Sequence, residues 1–99
     1  MAARYLFSVS AERDIASIVE HSLASFGDHQ TDEYMMEFSR ALDLLAANPD
    51  MGTPFNHDRS GTIYRRHRHK SHVIYYRKRR SDIFVLRVLH VKMHPDRHL

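Results

Sequence analysis

His72-Val73-Ile74-Tyr75-Tyr76-Arg77 and Ile83-Phe84-Val85-Leu86-Arg87-Val88-Leu89-His90, separated by Lys78-Arg79-Arg80-Ser81-Asp82, form the stretch that decides the fold. Both runs are rich in β-branched and aromatic residues, contain no Gly or Pro, and flank a link of hairpin length, which predicts two central antiparallel strands. The second run is apolar at nearly every position, so both of its faces should be covered. Arg87 is the exception. Its guanidinium must reach a carboxylate, a groove edge or water, because an unpaired buried charge is strongly destabilising. A snorkelling arginine at the sheet margin and a ligand-facing one both fit.

Working outward, Thr62–Arg68 reads as another strand of the same basic half, turning at His69-Lys70-Ser71. Val91–Leu99 reads as a polar tail in which Pro95 argues against a long helix. Upstream, Asp50–Gly61 has no periodicity and carries Gly52, Pro54 and Gly61, so it reads as a loop. At the start of the chain, Tyr5, Phe7 and Val9 alternate as in a half-buried strand added to the sheet.

Between these β segments the period changes. Ser10 offers an N-cap oxygen, with Glu12 and Asp14 in the first turn where the helix dipole favours negative charge. Ala11, Ile15, Ile18, Val19, Ser22 and Phe26 then fall at steps of three or four along one face. Gly27 ends this helix. A second helix runs from near Asp28 to about Ala47, with Tyr34, Phe38, Ala41, Leu42 and Leu45 as its stripe, and Asn48-Pro49 stops it. The short link makes the pair an antiparallel hairpin. Met35, Met36 and Leu44 widen its apolar surface, as core filler or as an adaptable partner groove. The expected architecture is α+β in the order β-α-α-β-β-β: an N-terminal strand, an antiparallel helical hairpin on one face, then a three-stranded antiparallel sheet.

With 99 residues, the chain is expected to form one domain, 1–99. It has no cysteine, so no disulfide framework is expected. No apolar run approaches the ~20 residues of a membrane span and no signal-peptide h-region follows Met1-Ala2-Ala3-Arg4, so a soluble cytoplasmic protein is expected. The charge is split along the chain. Residues 1–50 hold 3 Lys+Arg against 9 Asp+Glu, a formal −6, and residues 51–99 hold 12 against 3, a formal +9. A sheet half this basic implies an anionic partner, either nucleic acid or an acidic protein segment.

The 9 histidines raise the question of metal binding. His67, His69 and His72 lie near one turn, but no Cys accompanies them and the surrounding charge is positive, so neither a metal nor another cofactor is expected. His90, His94 and His98 cluster near the C-terminus, as proton-transfer groups or as solvated tail residues. Arg59, Arg65, Arg66, Arg68 and Arg77, interleaved with Tyr64, Tyr75 and Tyr76, suit phosphate contact and equally an acidic peptide laid on the sheet. No Gly-rich phosphate loop, nucleophile elbow or paired-carboxylate motif is present, so most hydrolase and kinase readings have no support.

The β-α-α-β-β-β order, the Phe26-Gly27 break, the helix end Leu44-Leu45-Ala46-Ala47-Asn48-Pro49, the loop Gly52, Ser71–Arg77, and Leu86-Arg87-Val88-Leu89-His90 with Met93 and His98-Leu99 together resemble the RelE/ParE toxin superfamily, closest to ParE. The resemblance covers nearly the whole chain. It implies the toxin of a type II toxin–antitoxin pair, of the kind associated with plasmid stabilisation and growth inhibition, acting on DNA gyrase as a binding inhibitor and not as an enzyme. It also implies neutralisation by a ParD-like antitoxin in a hetero-oligomer. An amphipathic acidic antitoxin segment is expected along Tyr34, Met35 and Phe38, pairing carboxylates with Arg65, Arg77 and Arg87. Arg87, His90, Lys92, Met93, His94 and Arg97 are the expected target-binding surface. The RelE branch of the superfamily implies an alternative, ribosome-dependent mRNA cleavage. No tyrosine follows Tyr76 here, so His90 or His94 would have to serve that chemistry beside Arg65, Arg77 and Arg87. A non-toxic interaction or nucleic-acid-binding module is the third reading.

Overall fold

The structure, a computed structural model, describes residues 4–56 and 62–99. Arg59 and Gly61, assigned above to a loop, lie outside the described residues. Five strands form one sheet in the order β1-β5-β4-β3-β2. They are β1 (Tyr5–Phe7), β2 (Thr53–Asn56), β3 (Ile63–His69), β4 (His72–Lys78) and β5 (Ile83–His90), with a helical run, α1 (Val9–Ala47), between the first two.

The central pair forms where the sequence placed it, with β4 one residue longer than expected. Antiparallel pairing runs from His72↔His90 to Lys78↔Ile83 with a bulge between Tyr75 and Tyr76. The Arg79–Asp82 turn is closed by the Arg79 N–H donating to the Asp82 carbonyl at 2.9 Å and by the Arg79 guanidinium on the Asp82 carboxylate at 2.6 and 2.7 Å. On the other side, β3 pairs antiparallel with β4 around a turn in which Lys70 takes φ 53°.

One feature departs from the expected three-stranded sheet with its added N-terminal strand. Thr53–Asn56, read above as loop, is a strand paired antiparallel to β3, Thr53↔Arg66 through Asn56↔Ile63. Its Pro54 hid it: proline demotes a run in any sequence reading, yet it is tolerated on an edge strand, where one flank of the backbone needs no ladder partner. The N-terminal strand closes the opposite edge by parallel pairing with β5, Tyr5↔Ile83 to Phe7↔Val85.

The helical run also differs in detail. Its N-cap is Ser8, two residues before the serine expected, and the Ser8 hydroxyl accepts from the Ala11 N–H at 2.9 Å while donating to the Leu86 carbonyl at 2.7 Å. One hydroxyl thus caps the helix and ties it to β5, which Ser10 could not do. The backbone is helical over Val9–Ala47 except at Gly27, which takes φ 84° and ψ −179°. A straight helix of this length would measure about 58 Å, beyond the longest molecular dimension of 41 Å. The Thr31 and Ser22 hydroxyls, nine residues apart, are hydrogen-bonded at 2.7 Å. The run therefore doubles back at Gly27 with no linker, a reversal that its positive φ leaves to glycine.

The apolar faces of both arms and one face of the sheet form the core: Ala11, Phe38, Leu42 and Leu45 against Ile74, Tyr76, Ile83, Val85 and Val88. Each large side chain buried there contributes roughly 1.5–3 kcal/mol. Tyr76, fully buried, has its hydroxyl satisfied: it accepts from the Gly52 N–H at 2.9 Å and donates to the Pro49 carbonyl at 2.8 Å. A Cβ at Gly52 would meet the Tyr76 ring, with Cε1 at 2.8 Å, so this close approach requires glycine.

Candidate partner groove and basic tail

β1 is shorter than β5, so the edge of β5 beyond Val85 lacks a strand partner on that side. The start of α1 supplies one. Asp14 Oδ2 accepts from the Val88 N–H at 2.9 Å, and the same carboxylate takes a bidentate pair from Arg87, Nε–Oδ2 2.7 Å and Nη2–Oδ1 2.8 Å. The remaining Arg87 Nη1 donates to the His98 carbonyl at 2.7 Å. Asp14 holds the guanidinium firmly in its charged form, raising its pKa. Of the two readings open for Arg87, the structure gives neither a ligand-facing group nor a water-facing one. It is an internal clamp joining sheet, helix and tail.

Beside this clamp a groove of about 500 Å³ opens between the helical arms and the ends of β4 and β5. Asp14, Ile18 and Phe26 line it from the first arm, Tyr34 from the second, His72, Val88 and His90 from the sheet, and Met93 from the tail. Phe26, expected on the buried stripe, is 59% exposed at its rim. The His72 and His90 rings meet edge-on with centroids 5.6 Å apart, and Tyr34 Oη lies 2.6 Å from His72 Nδ1. Burial, then the neighbouring His90, His69 and His21, push the His72 pKa down. Burial, partly offset by a hydrogen bond with Ser71, pushes the Tyr34 phenol up. A neutral imidazole facing a protonated phenol is consistent with Tyr34 donating to His72.

Behind Tyr34, the His69 ring packs against Tyr34 at 5.4 Å and Phe38 at 5.9 Å. Its pKa is lowered chiefly by burial and also by Lys70, and its Nε2 is buried with no hydrogen-bond partner among the described residues. Lys70 in turn pairs with Glu37.

The residues singled out from sequence do not converge. Tyr34 lines the groove and Met35 is half-buried against the core, but Phe38 is 3% exposed and offers a partner no surface. Arg65 points to the helix side, donating to the carbonyls of Gly52 at 2.9 Å and Asp50 at 3.1 Å. Arg77 stacks over the Phe84 ring at 5.5 Å, with Arg79 over the same ring at 4.8 Å. His90 faces the groove and its Nδ1 accepts from the Lys92 N–H at 3.2 Å. His94 and Lys92 line a separate recess on the sheet's outer face, and Arg97 lies exposed in a short 3-10 turn, Pro95–Arg97. Met93 lines both cavities, so the tail is their common wall.

Sequence reading missed Asp14 as the hub of this region. At 73 and 74 residues from its partners, it carries no local signal beyond an acidic group near a helix start, and since the helix begins at Val9 its first turn holds Glu12 and not Asp14 as expected. Among the described residues there is no cluster of three or more His, Cys, Asp or Glu able to hold a metal, and no helix is long and apolar enough to cross a membrane.

A solved chain described as belonging to the chromosomal ParDE TA system from P. aeruginosa superposes on this structure with a TM-score of 0.73 over 92% of this chain and 98% of that one, at 15% identity. That likeness defines the fold as one found among toxin–antitoxin components. The family model for the ParE toxin of type II toxin–antitoxin system parDE matches residues 5–95. Toxin ParE1 of Mycobacterium tuberculosis is 36% identical over 100 residues, covering all of both chains, and Toxin ParE1 of Caulobacter vibrioides is 34% identical over 95 residues, covering 96% of each. The chain belongs to the ParE toxin family of type II toxin–antitoxin systems.

Proposed function

We propose that this toxin is a binding inhibitor of DNA gyrase, neutralised when a ParD-like antitoxin lays an amphipathic segment in the groove between the helical arms and the sheet. The observation that carries a binding role over mRNA cleavage is the dispersal of the ionisable groups a nuclease would need. Arg65 and Arg87 are committed to internal partners on the helix side, His90 faces the groove, and His94 lies on the outer face. General acid–base work needs its groups within hydrogen-bond reach of one reacting atom. The groove supports the antitoxin half of the reading: it is walled by Ile18, Phe26, Val88 and Met93, with histidine and tyrosine donors between them.

The test is a supercoiling assay with purified gyrase and the antitoxin-free protein, scored for lost supercoiling and for trapped linear DNA. Inhibition with cleaved DNA that antitoxin reverses is expected. A folded sample without effect on gyrase, but with mRNA cleavage on ribosomes, would replace the proposal with the RelE-type reading.

A further inference from the structure

The groove beside the Arg87 clamp holds two hydrogen-bond donors without acceptors. His90 Nδ1 accepts from the Lys92 N–H at 3.2 Å, so in the neutral ring the proton sits on Nε2. His72 Nδ1 lies 2.6 Å from Tyr34 Oη, and the phenol, which burial keeps protonated, donates to it. That bond places the His72 proton on Nε2 as well. The two rings meet edge-on at 5.6 Å and both line the groove, yet neither Nε2 has a hydrogen-bond partner among the described residues.

Nothing already in the groove can receive them. Asp14 is the one carboxylate among its described lining residues, and both oxygens are taken: Oδ1 by Arg87 Nη2, Oδ2 by Arg87 Nε and the Val88 N–H. Bound to the guanidinium, it presents little net charge to an arriving anion. The other titratable groups acting on His72 are His90, His69, His21 and the Tyr34 phenol, none of them anionic at neutral pH. Around the donors stand Ile18, Phe26, Val88 and Met93. A few polar groups set between apolar walls fix the orientation of an amphipathic guest. In a helical guest the backbone carbonyls are already bonded within the helix, which leaves a side chain to supply the acceptor. A carboxylate has two oxygens for two donors, its bonds are charge-assisted, and imidazoles can take up a proton as it arrives.

We propose that the groove holds one carboxylate of its partner between His72 Nε2 and His90 Nε2, with the apolar side chains flanking that acidic residue resting on Phe26 and Met93. The inference rests on the antitoxin reading for the identity of the partner, whereas the donor pair belongs to the isolated chain. Tyr34 is a positioning residue that keeps the His72 proton on Nε2.

The experiment is long-range 1H–15N NMR of the antitoxin-free protein, titrated with 4-methylpentanoate, which joins a branched apolar tail to a carboxylate, and with 4-methylpentanamide. Before ligand is added, His72 and His90 should both read as Nε2–H tautomers at pH 7.5. The acid should shift both Nε2 resonances saturably, with a Kd on the order of millimolar for so small a ligand, and bind at least fivefold more tightly than the amide. Because the bound anion favours the protonated imidazole, acid affinity should rise at least threefold from pH 7.5 to pH 6.0 while amide affinity does not. His90→Phe should weaken acid binding at least fivefold, and Tyr34→Phe should return His72 to a mixture of tautomers. His29→Ala, on an exposed side chain outside the groove, should change acid affinity less than twofold. Circular dichroism checks each variant, and the acid-to-amide ratio of the unaltered protein keeps the test decisive should one not fold. An Nδ1–H tautomer at either ring, absent acid binding, equal affinity for acid and amide, or equal losses in His29→Ala and His90→Phe would overturn the proposal; equal affinity would assign the donors to a carbonyl. Antitoxin capture that persists in those cases leaves the antitoxin reading standing, whereas acid that binds undisplaced by antitoxin keeps the carboxylate site and removes the antitoxin from it.

Discussion

Apart from the bulge that separates Val85 from Val88, the two faces of this sheet are built from alternate residues of the same strands, yet they obey different constraints. On the inner face, Ile74, Tyr76, Val85 and Val88 lie under the helical arms as core residues, and the one hydroxyl among them is fully hydrogen-bonded. On the outer face, Arg66 and Arg68 rise beside Tyr75, and the tail covers only part of the surface. Burial fixes the first set by volume and hydrogen-bond satisfaction, whereas the second is free to be chosen for charge. A residue's neighbour in sequence therefore says little about its role, and its neighbour two positions away says a great deal.

Substitutions divide along the same line. Leu45→Ala, at a position with no exposure, should remove about 3–4 kcal/mol, within the usual cost of a core truncation, read as a shift of the urea midpoint. A cost under about 1 kcal/mol would mean the inner face is not the packed one. Asp14→Ala sits where the two faces meet at the sheet edge. It strips Arg87 and the Val88 N–H of their partner and should cost about 2–3 kcal/mol. Because Arg87 also holds the His98 carbonyl, this variant should also expose Lys92 and Arg97 to faster tryptic cleavage. An unchanged cleavage rate would separate the clamp from the tail. Tyr76→Phe keeps the ring but leaves the Gly52 N–H and the Pro49 carbonyl without their partner, for about 1–2 kcal/mol.

A smaller effect is expected from pH. The folded pKa values of His69 and His72 lie below the ordinary value near 6.5. In that window the unfolded chain binds protons that the fold excludes. Stability is therefore fullest above about pH 7 and declines as pH falls through 6.5 towards the lowered folded values. The urea midpoint should be lower at pH 5.5 than at pH 7.5, and equal midpoints would mean that the rings are not held neutral. On the outer face, Arg68→Gln should leave stability within about 0.5 kcal/mol of the parent, which sharpens the contrast with Leu45→Ala.

The sequence made the inner face easy to read. The β4 and β5 runs, the stripe Phe38-Leu42-Leu45 and the break at Gly27 all carry local signals of period, propensity or backbone freedom. What it concealed were choices made over distance. Pro54 disguised an edge strand that exists only because β3 pairs with it. Asp14 looked like a helix-dipole residue, and Arg87 like a possible ligand group, until the fold set them 2.7 Å apart. Phe38 shared its stripe with Tyr34, yet one is core and the other lines the groove.

The parallel pairing of β1 with β5 has a consequence for how the chain comes into being. Tyr5–Phe7 dock beside Ile83–Val85, and Asp14 waits for Arg87 and Val88. β1 thus has no place to pair until β5 has followed it out of the ribosome. The helical arms can associate early through local contacts, but the sheet edge requires a loop spanning most of the chain to close, a slow step compared with local pairing. Completion of the sheet is therefore tied to the emergence of β5, and a product ending before Ile83 would lack both β5 and the partner that β1 requires.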